Sequence, residues 1–183
     1  MVESAFMAEP RVAFSSLIQS LERILSPLDL ETMTRLKALG IDPDHLLPAY
    51  PVETWYAGIE LAMSRFDPSL THEQRQNHFG VRLVEVYGET LVGKAMYAMM
   101  RLIGPERSIQ RATRSFRTAT NFLDTSHVVH GPKDWELTMN EVVLPHRYPG
   151  FFETALSVAG AKNVKVRLTA LTETHSSFRA TWE

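Results

Sequence analysis

The chain has 183 residues, 44% hydrophobic and 22% charged, with a formal net charge of −2 at pH 7. That length suits one domain with its own core, and the near-neutral charge gives no general affinity for nucleic acid or for an anionic membrane. With no cysteine in the sequence, disulfides, iron–sulfur ligation, thiolate zinc sites, a thiol nucleophile and S-acylation are all excluded.

Residues 1–11 read as a loose arm. The opening MVESAFMAEPRVAF lacks a basic region followed by an apolar run, so it is not a signal peptide. No apolar stretch reaches the ~20 residues of a membrane span. Together with the missing cysteines, this makes the cytoplasm the expected compartment.

Residues 12–119 form the helical part. Phe14, Leu17, Ile18, Leu21, Ile24 and Leu25 fall at helical spacing and predict a first helix, stopped by Ser26-Pro27. A second helix is predicted over Leu30–Leu39, with Asp29 as N-cap and Gly40 as C-cap. After the proline-rich connector IDPDHLLPAYP, Pro51 suits the first turn of a third helix with Val52, Trp55, Tyr56, Ile59, Met63 and Phe66 on its apolar face. Thr71 and Gln74 read as a capping box for a fourth, which runs to about Tyr87 and buries Phe79, Leu83 and Val86. A fifth, from about Thr90 to Ile103, carries Leu91, Val92, Ala95, Met96, Met99, Leu102 and Ile103. Gly104-Pro105 then stops the chain and restarts it as a sixth helix to about Arg117.

Residues 120–183 change period. The ribbon TNFLDTSHVVH, the break GPKD and the strand WELTMNEVVL precede a helix in YPGFFETALSVAG, and a second ribbon follows in NVKVRLTAL and SSFRATWE. Val164, Val166, Leu168 and Ala170 alternate with polar residues, as do Phe178, Ala180 and Trp182, so one face of the sheet is covered. The predicted fold is α+β: about six helices, then a four-stranded antiparallel sheet built as hairpin–helix–hairpin. There is no internal repeat or long linker, so one domain is expected.

LPAYPVETW at Leu47–Trp55, the pairs Tyr87-Gly88 and Val92-Gly93, and GPERSIQR at Gly104–Arg111 are landmarks. So are TNF at Thr120–Phe122, YPGFFETAL at Tyr148–Leu156 and FRATWE at Phe178–Glu183. On these, over nearly its whole length, the chain resembles a large paralogous family of uncharacterised proteins of similar length, found mainly in myxobacteria. More distantly it is similar to the fold group of 4-vinyl-reductase-type domains, haem–nitric-oxide-binding domains and TRAPP vesicle-tethering subunits. That likeness implies a frame used for small apolar ligands or for dimerisation, and fold alone does not fix function. The chain departs from the group in two ways: it has none of the cysteines several members use for metal or lipid, and it has no Tyr-x-Ser-x-Arg haem-propionate signature.

His45, His72, His78, His127, His130, His146 and His175 are scattered, and no His-Glu-x-x-His occurs, so no metal site is expected. His78, beside Phe79, is a weak axial haem candidate, against an ordinary surface histidine. His127 and His130 would face opposite sides of a strand. Glu136 and Glu141, read on one strand, would also point apart. Gly88 and Gly93 lack the Lys-Ser/Thr ending of a phosphate loop and read as a helix junction. Neither Ser15-Ser16 nor Ser176-Ser177 sits in a nucleophile elbow.

Two groups remain. Arg107, Arg111, Arg114 and Arg117 recur at intervals of four, three and three, which on one helix makes a stripe for phosphate, nucleotide or an acidic partner, or a solvated face. Trp55, Tyr56, Phe66, Phe79, Met96, Met99 and Phe152, with Met100, would line an apolar ligand pocket between the sheet and helices three to six, or form plain core. Adjacent Phe151 and Phe152, ~100° apart on a helix, cannot both face the sheet. No nucleophile–base–orienter set can be named. The expectation is therefore a non-enzymatic ligand-binding or protein-interaction module in signalling or regulation, acting as a homodimer without a predicted cofactor. A phosphate-ligand sensor and a haem sensor are the alternatives.

Overall fold

A computed structural model describes residues 9–183; of the expected loose arm, residues 1–8 lie outside the described residues. Val12–Phe14 form strand β1, antiparallel to β2 (Ala49–Pro51) inside the proline-rich connector, with Ala13 opposite Tyr50. Neither strand was foreseen, because three residues are too few to show a period of two. Phe14 therefore belongs to β1, and α1 runs over Ser15–Leu25, burying Leu17, Ile18, Leu21 and Leu25.

Helix boundaries follow local chemistry. Asp29 caps α2 (Leu30–Ala38) by accepting the Thr32 N–H at 2.8 Å, and Gly40 leaves the helix at φ +80. Pro51 precedes α3 (Val52–Met63) as its N-cap rather than lying within its first turn. Both hydrogen bonds of the Thr71–Gln74 capping box open α4 (His72–Tyr87). Thr90 accepts from the Gly93 N–H at 3.0 Å to start α5 (Leu91–Gln110).

α5 is bent at Gly104, whose φ/ψ of 79/174 is not helical, immediately before Pro105. The expected continuous sixth helix is interrupted again at Arg111, where φ is −104, leaving α6 as the short Ala112–Phe116. The Thr113 hydroxyl sits 2.8 Å from that of Thr125, so the sheet, not the run of α5, orients α6.

Four strands form the main sheet in the order β3 (Thr125–Gly131), β4 (Asp134–Met139), β6 (Ser176–Thr181), β5 (Lys165–Leu171), all antiparallel. The two hairpins thus meet through β4 and β6. The second ribbon strand ends at Met139, five residues earlier than its apolar letters imply, because Asn140 and Glu141 turn the chain out of the ladder. Between the hairpins, α7 (Arg147–Val158) lies on the inner face. One core cluster sits among the helices around Ile18, Leu21, Ile59 and Phe79. A second lies between α7 and the sheet around Trp135, Leu137, Phe152 and Phe178. Phe151 packs against both.

The helical part joins the sheet part through α4 and α7. A Cβ added at Gly80 would lie 1.9 Å from the Arg147 carbonyl oxygen, and one at Gly150 would lie 2.4 Å from that of Asn77. The two backbones touch there, and no side chain fits between them. Gln76, buried on α4, accepts the His146 N–H at 3.0 Å and fixes the start of α7. Replacing Gly80 with Ala forces the helices apart and is expected to cost about 1–3 kcal/mol. The measurement is urea unfolding with an unchanged denaturant slope; wild-type stability would contradict this account of the contact.

Candidate functional site

A cavity of about 120 Å³ lies where α4, α5, α6 and α7 close over the sheet. It exists because α7 covers the β5–β6 side while α6 reaches only β3, so the roof is made of two helices that do not meet along their length. From α4 and α5 the wall takes Leu83, Tyr87, Met96, Tyr97 and Met100, and from α5 and α6 it takes Ile109, Ala112 and Phe116. The floor is Leu137 of β4 with Tyr148, Phe152 and Ala155 of α7. The aromatic rings interlock: Phe116 stacks on Phe151 at 5.6 Å and stands edge-on to Phe152 at 6.2 Å, while Tyr148 lies 5.5 Å from Phe178.

Polar atoms on this wall are mostly tied to the protein. The Tyr97 hydroxyl donates to the Val84 carbonyl at 2.5 Å, and burial pushes its pKa up. The Tyr148 hydroxyl accepts from Arg147 Nη2 at 2.9 Å, and burial pushes its pKa up to about 12. What remains facing inward is apolar surface of the kind that excludes water and accepts an apolar guest.

One end of the cavity is closed by a buried charge cluster. Glu141, only 1% exposed, accepts from Arg11 Nη2 at 3.2 Å and from the Tyr56 hydroxyl, while its other oxygen takes the Val142 and Val143 N–H groups at 2.9 Å each. Arg147 Nη2 stands 3.9 Å away, and Arg147 also donates to the Val143 and Leu144 carbonyls. The Arg147 guanidinium lies 4.4 Å from the Tyr148 ring centre. Burial, then the hydrogen bond to Glu141, pushes the Tyr56 hydroxyl to a higher pKa. Ser176 Oγ donates to the Glu141 carbonyl at 2.6 Å, so the start of β6 is held as well.

Of the residues proposed from sequence as pocket lining, Trp55, Met96, Met100 and Phe152 line this cavity. Phe79 is fully enclosed in the helical core, Tyr56 belongs to the Glu141 cluster, and Phe66 packs edge-on against His78 at 4.7 Å. Met99 faces solvent, a correction with a simple cause: the first part of α5 is apolar on nearly all sides, so periodicity could not say which side turns inward. The phenylalanine pair divides as its geometry required, Phe152 to the sheet and Phe151 to α6.

His78 is exposed on α4 and takes no part in the cavity wall, where no histidine appears. His127 tilts over Trp135 at 5.2 Å. Among the described residues no group of three or more His, Asp or Glu side chains is gathered for a metal ion, and no helix is long and apolar enough to cross a membrane. Glu141 is not on a strand at all, which corrects its reading as a residue of the same strand as Glu136. The arginine stripe is broken: Arg117 is held by Asp124 at 2.7 Å, whereas Arg107, Arg111 and Arg114 are exposed without an ion pair among the described residues. Sequence reasoning missed Glu141, Arg11, Arg147, Tyr148, Tyr97 and Phe116. The one available signal was an arginine and a tyrosine at the opening of an apolar helix.

A family model described as protein of unknown function (DUF2378) matches residues 8–183. No curated protein matches the chain. Among solved structures it is similar to an H-NOX protein from S. oneidensis in the Fe(II)NO ligation state: 8% identity and a TM-score of 0.66, covering 93% of this chain and 99% of that one. It is likewise similar to the Fe(II) unliganded H-NOX protein from K. algicida, at 10% identity and a TM-score of 0.60, covering 93% and 96%. A third structure, described by modulation of haem redox potential through porphyrin distortion, shares 13% identity with a TM-score of 0.59 and 92% of each chain. At these identities the likeness is one of fold.

Removing the Glu141 carboxylate leaves Arg147 buried without its counter-charge. Glu141→Ala is expected to destabilise the protein by about 3–5 kcal/mol, read by chemical denaturation. A loss no larger than that of an exposed ion pair would show that the cluster does not hold this end of the cavity.

Proposed function

This chain belongs to the DUF2378 family, and we propose that its H-NOX-like frame serves as a non-enzymatic, homodimeric module that binds a small apolar ligand in signalling or regulation. The cavity under α5 and α6 carries this reading. Its volume of about 120 Å³ is close to that of an engineered apolar cavity of about 150 Å³ that stays dry and takes up benzene or xenon. Its wall is aromatic and methionine-rich, and methionine adapts to guests of different shape. The α5 segment of that wall packs only lightly on α4.

Haem fits these residues poorly. A tetrapyrrole is several times larger than a benzene-sized space, and no imidazole or thiolate reaches the cavity. The tyrosine hydroxyls of Tyr97 and Tyr148 are already hydrogen bonded. His78 is exposed and engaged by Phe66. The apolar reading therefore takes the frame of the H-NOX structures without their prosthetic group.

Benzene serves as the probe of the cavity. At about ten times its dissociation constant it is expected to raise the thermal midpoint by roughly 4 °C, and Ala112→Leu, which adds bulk to the cavity wall, is expected to abolish the rise. No rise with benzene or xenon would refute the cavity as a ligand site. For haem, adding haemin to the purified protein is expected to give only the spectrum of free haemin. A stoichiometric, saturable shift of the Soret band would restore the haem reading.

A further inference from the structure

Among the described residues, α5 presents, before Gly104, an outer face with no partner. Gly93, Tyr97 and Met100 turn inward, whereas Leu91, Val92, Ala95, Ala98, Met99 and Leu102 are exposed. Leu91 and Leu102 are 87% and 86% exposed. At ~100° per residue, Leu91, Ala95, Ala98 and Leu102 fall on one line along the helix, with Met99 and Val92 beside it and Lys94 and Arg101 on the opposite flank. A fully apolar stripe on a surface helix marks a contact.

The order of sizes along that line says what kind of contact. Large leucines stand at both ends and alanines between them, so the face is notched rather than flat. A second helix fits such a notch better than a bilayer plane does. The pattern also reads the same from either end: Leu91 and Leu102, and Ala95 and Ala98, lie symmetrically about the bond between Met96 and Tyr97. That symmetry is what an isologous contact about a two-fold axis requires.

We propose that this face is the interface with a second copy of the chain. The two α5 helices pack antiparallel, with Leu91 of one copy against Leu102 of the other and Ala95 against Ala98. The inference rests on the homodimer of the preceding section and names its surface; it is independent of the ligand. It has an electrostatic signature. The two-fold axis keeps both charged flanks on the same side and brings Lys94 of one copy to within ~3 Å, measured along the axis, of Arg101 of the other. The nearest acid at the start of the helix, Glu89, is already held by Arg23 at 2.6 Å. Like charges at the rim weaken the pair, and salt relieves them.

Sedimentation of the full chain at low and high salt tests this. A reversible dimer is expected whose dissociation constant falls as salt rises. Leu102→Glu is expected to raise that constant at least tenfold, about the effect of losing one buried leucine contact. Arg101→Glu is expected to lower it, because the new carboxylate meets Lys94. Both positions are exposed, and circular dichroism of the variants reports whether the fold is kept. If Leu102→Glu dimerises like the wild type, this interface is wrong while the homodimer stands. A chain that is monomeric at every concentration sinks both. Binding to anionic vesicles that Leu102→Glu abolishes, without any dimer, assigns the face to a bilayer and overturns the proposal. None of these outcomes bears on the benzene test.

Discussion

The contact of α4 with α7 is the constraint from which the rest of the molecule takes its shape. Two helices approach so closely that the Gly80 position faces the Arg147 carbonyl and the Gly150 position faces that of Asn77. α7 belongs to the hairpin–helix–hairpin unit and α4 to the helical part, so this backbone contact fixes how the two halves sit. Once α7 is pinned, its other side must cover the sheet, which Tyr148, Phe152 and Leu156 do. The space beside it is left for α5 and α6 to roof, and they roof it incompletely. The cavity is the geometric remainder of an approach that only glycine permits.

The buried cluster at Glu141 acts at the same junction. Arg11 comes from before β1, Tyr56 from α3, Glu141 from after β4, and Arg147 from the first turn of α7. One carboxylate with five neighbours ties the edge of the helical part to the start of α7. Such a cluster adds little net stability over apolar packing, but it penalises any arrangement that separates its members. It therefore specifies the relative placement of elements more than it strengthens them. The wall of the cavity formed by Arg147 and Tyr148 is correspondingly tied by hydrogen bonds to the Val143 and Leu144 carbonyls. The wall formed by α5 and α6, bent at Gly104 and broken at Arg111, is held by fewer contacts.

That division gives the H-NOX-like frame a physical sense in this chain. The sheet, α7 and α4 form a fixed half. The α5–α6 segment forms a lighter half that touches the cavity on one side and exposes an apolar stripe on the other. Met96, Tyr97 and Met100 line the cavity, and the same helix turns Leu91, Ala98 and Leu102 outward. The proposed ligand site and the proposed partner surface thus lie on opposite sides of one helix.

Much of the fold was written locally. The Asp29 cap, the Thr71–Gln74 capping box, the break at Gly104-Pro105 and the alternation of Val166 and Leu168 in β5 and of Phe178 and Ala180 in β6 depend on residues within a few positions of one another, and each lies where the sequence placed it; the alternation fails at Ala170, where the β5–β6 register shifts. The order of helices and strands, and hence the α+β class, followed from those signals. What the sequence could not decide was everything that depends on distant residues. α5 is apolar on almost every side, so its inward face was settled only when Tyr87 and Tyr148 took their places around it, which is why Met99 proved exposed and Tyr97 proved to line the cavity. Glu141 looked like one more strand residue until the chain turned at Asn140 and brought it to Arg11, far away in sequence. The sequence by itself determined the elements and their ends, because caps, glycines and periodicity act over one or two turns. Only the tertiary structure decided which faces met, where the cavity lay and which charges shared it, because those depend on contacts between segments that no local pattern records.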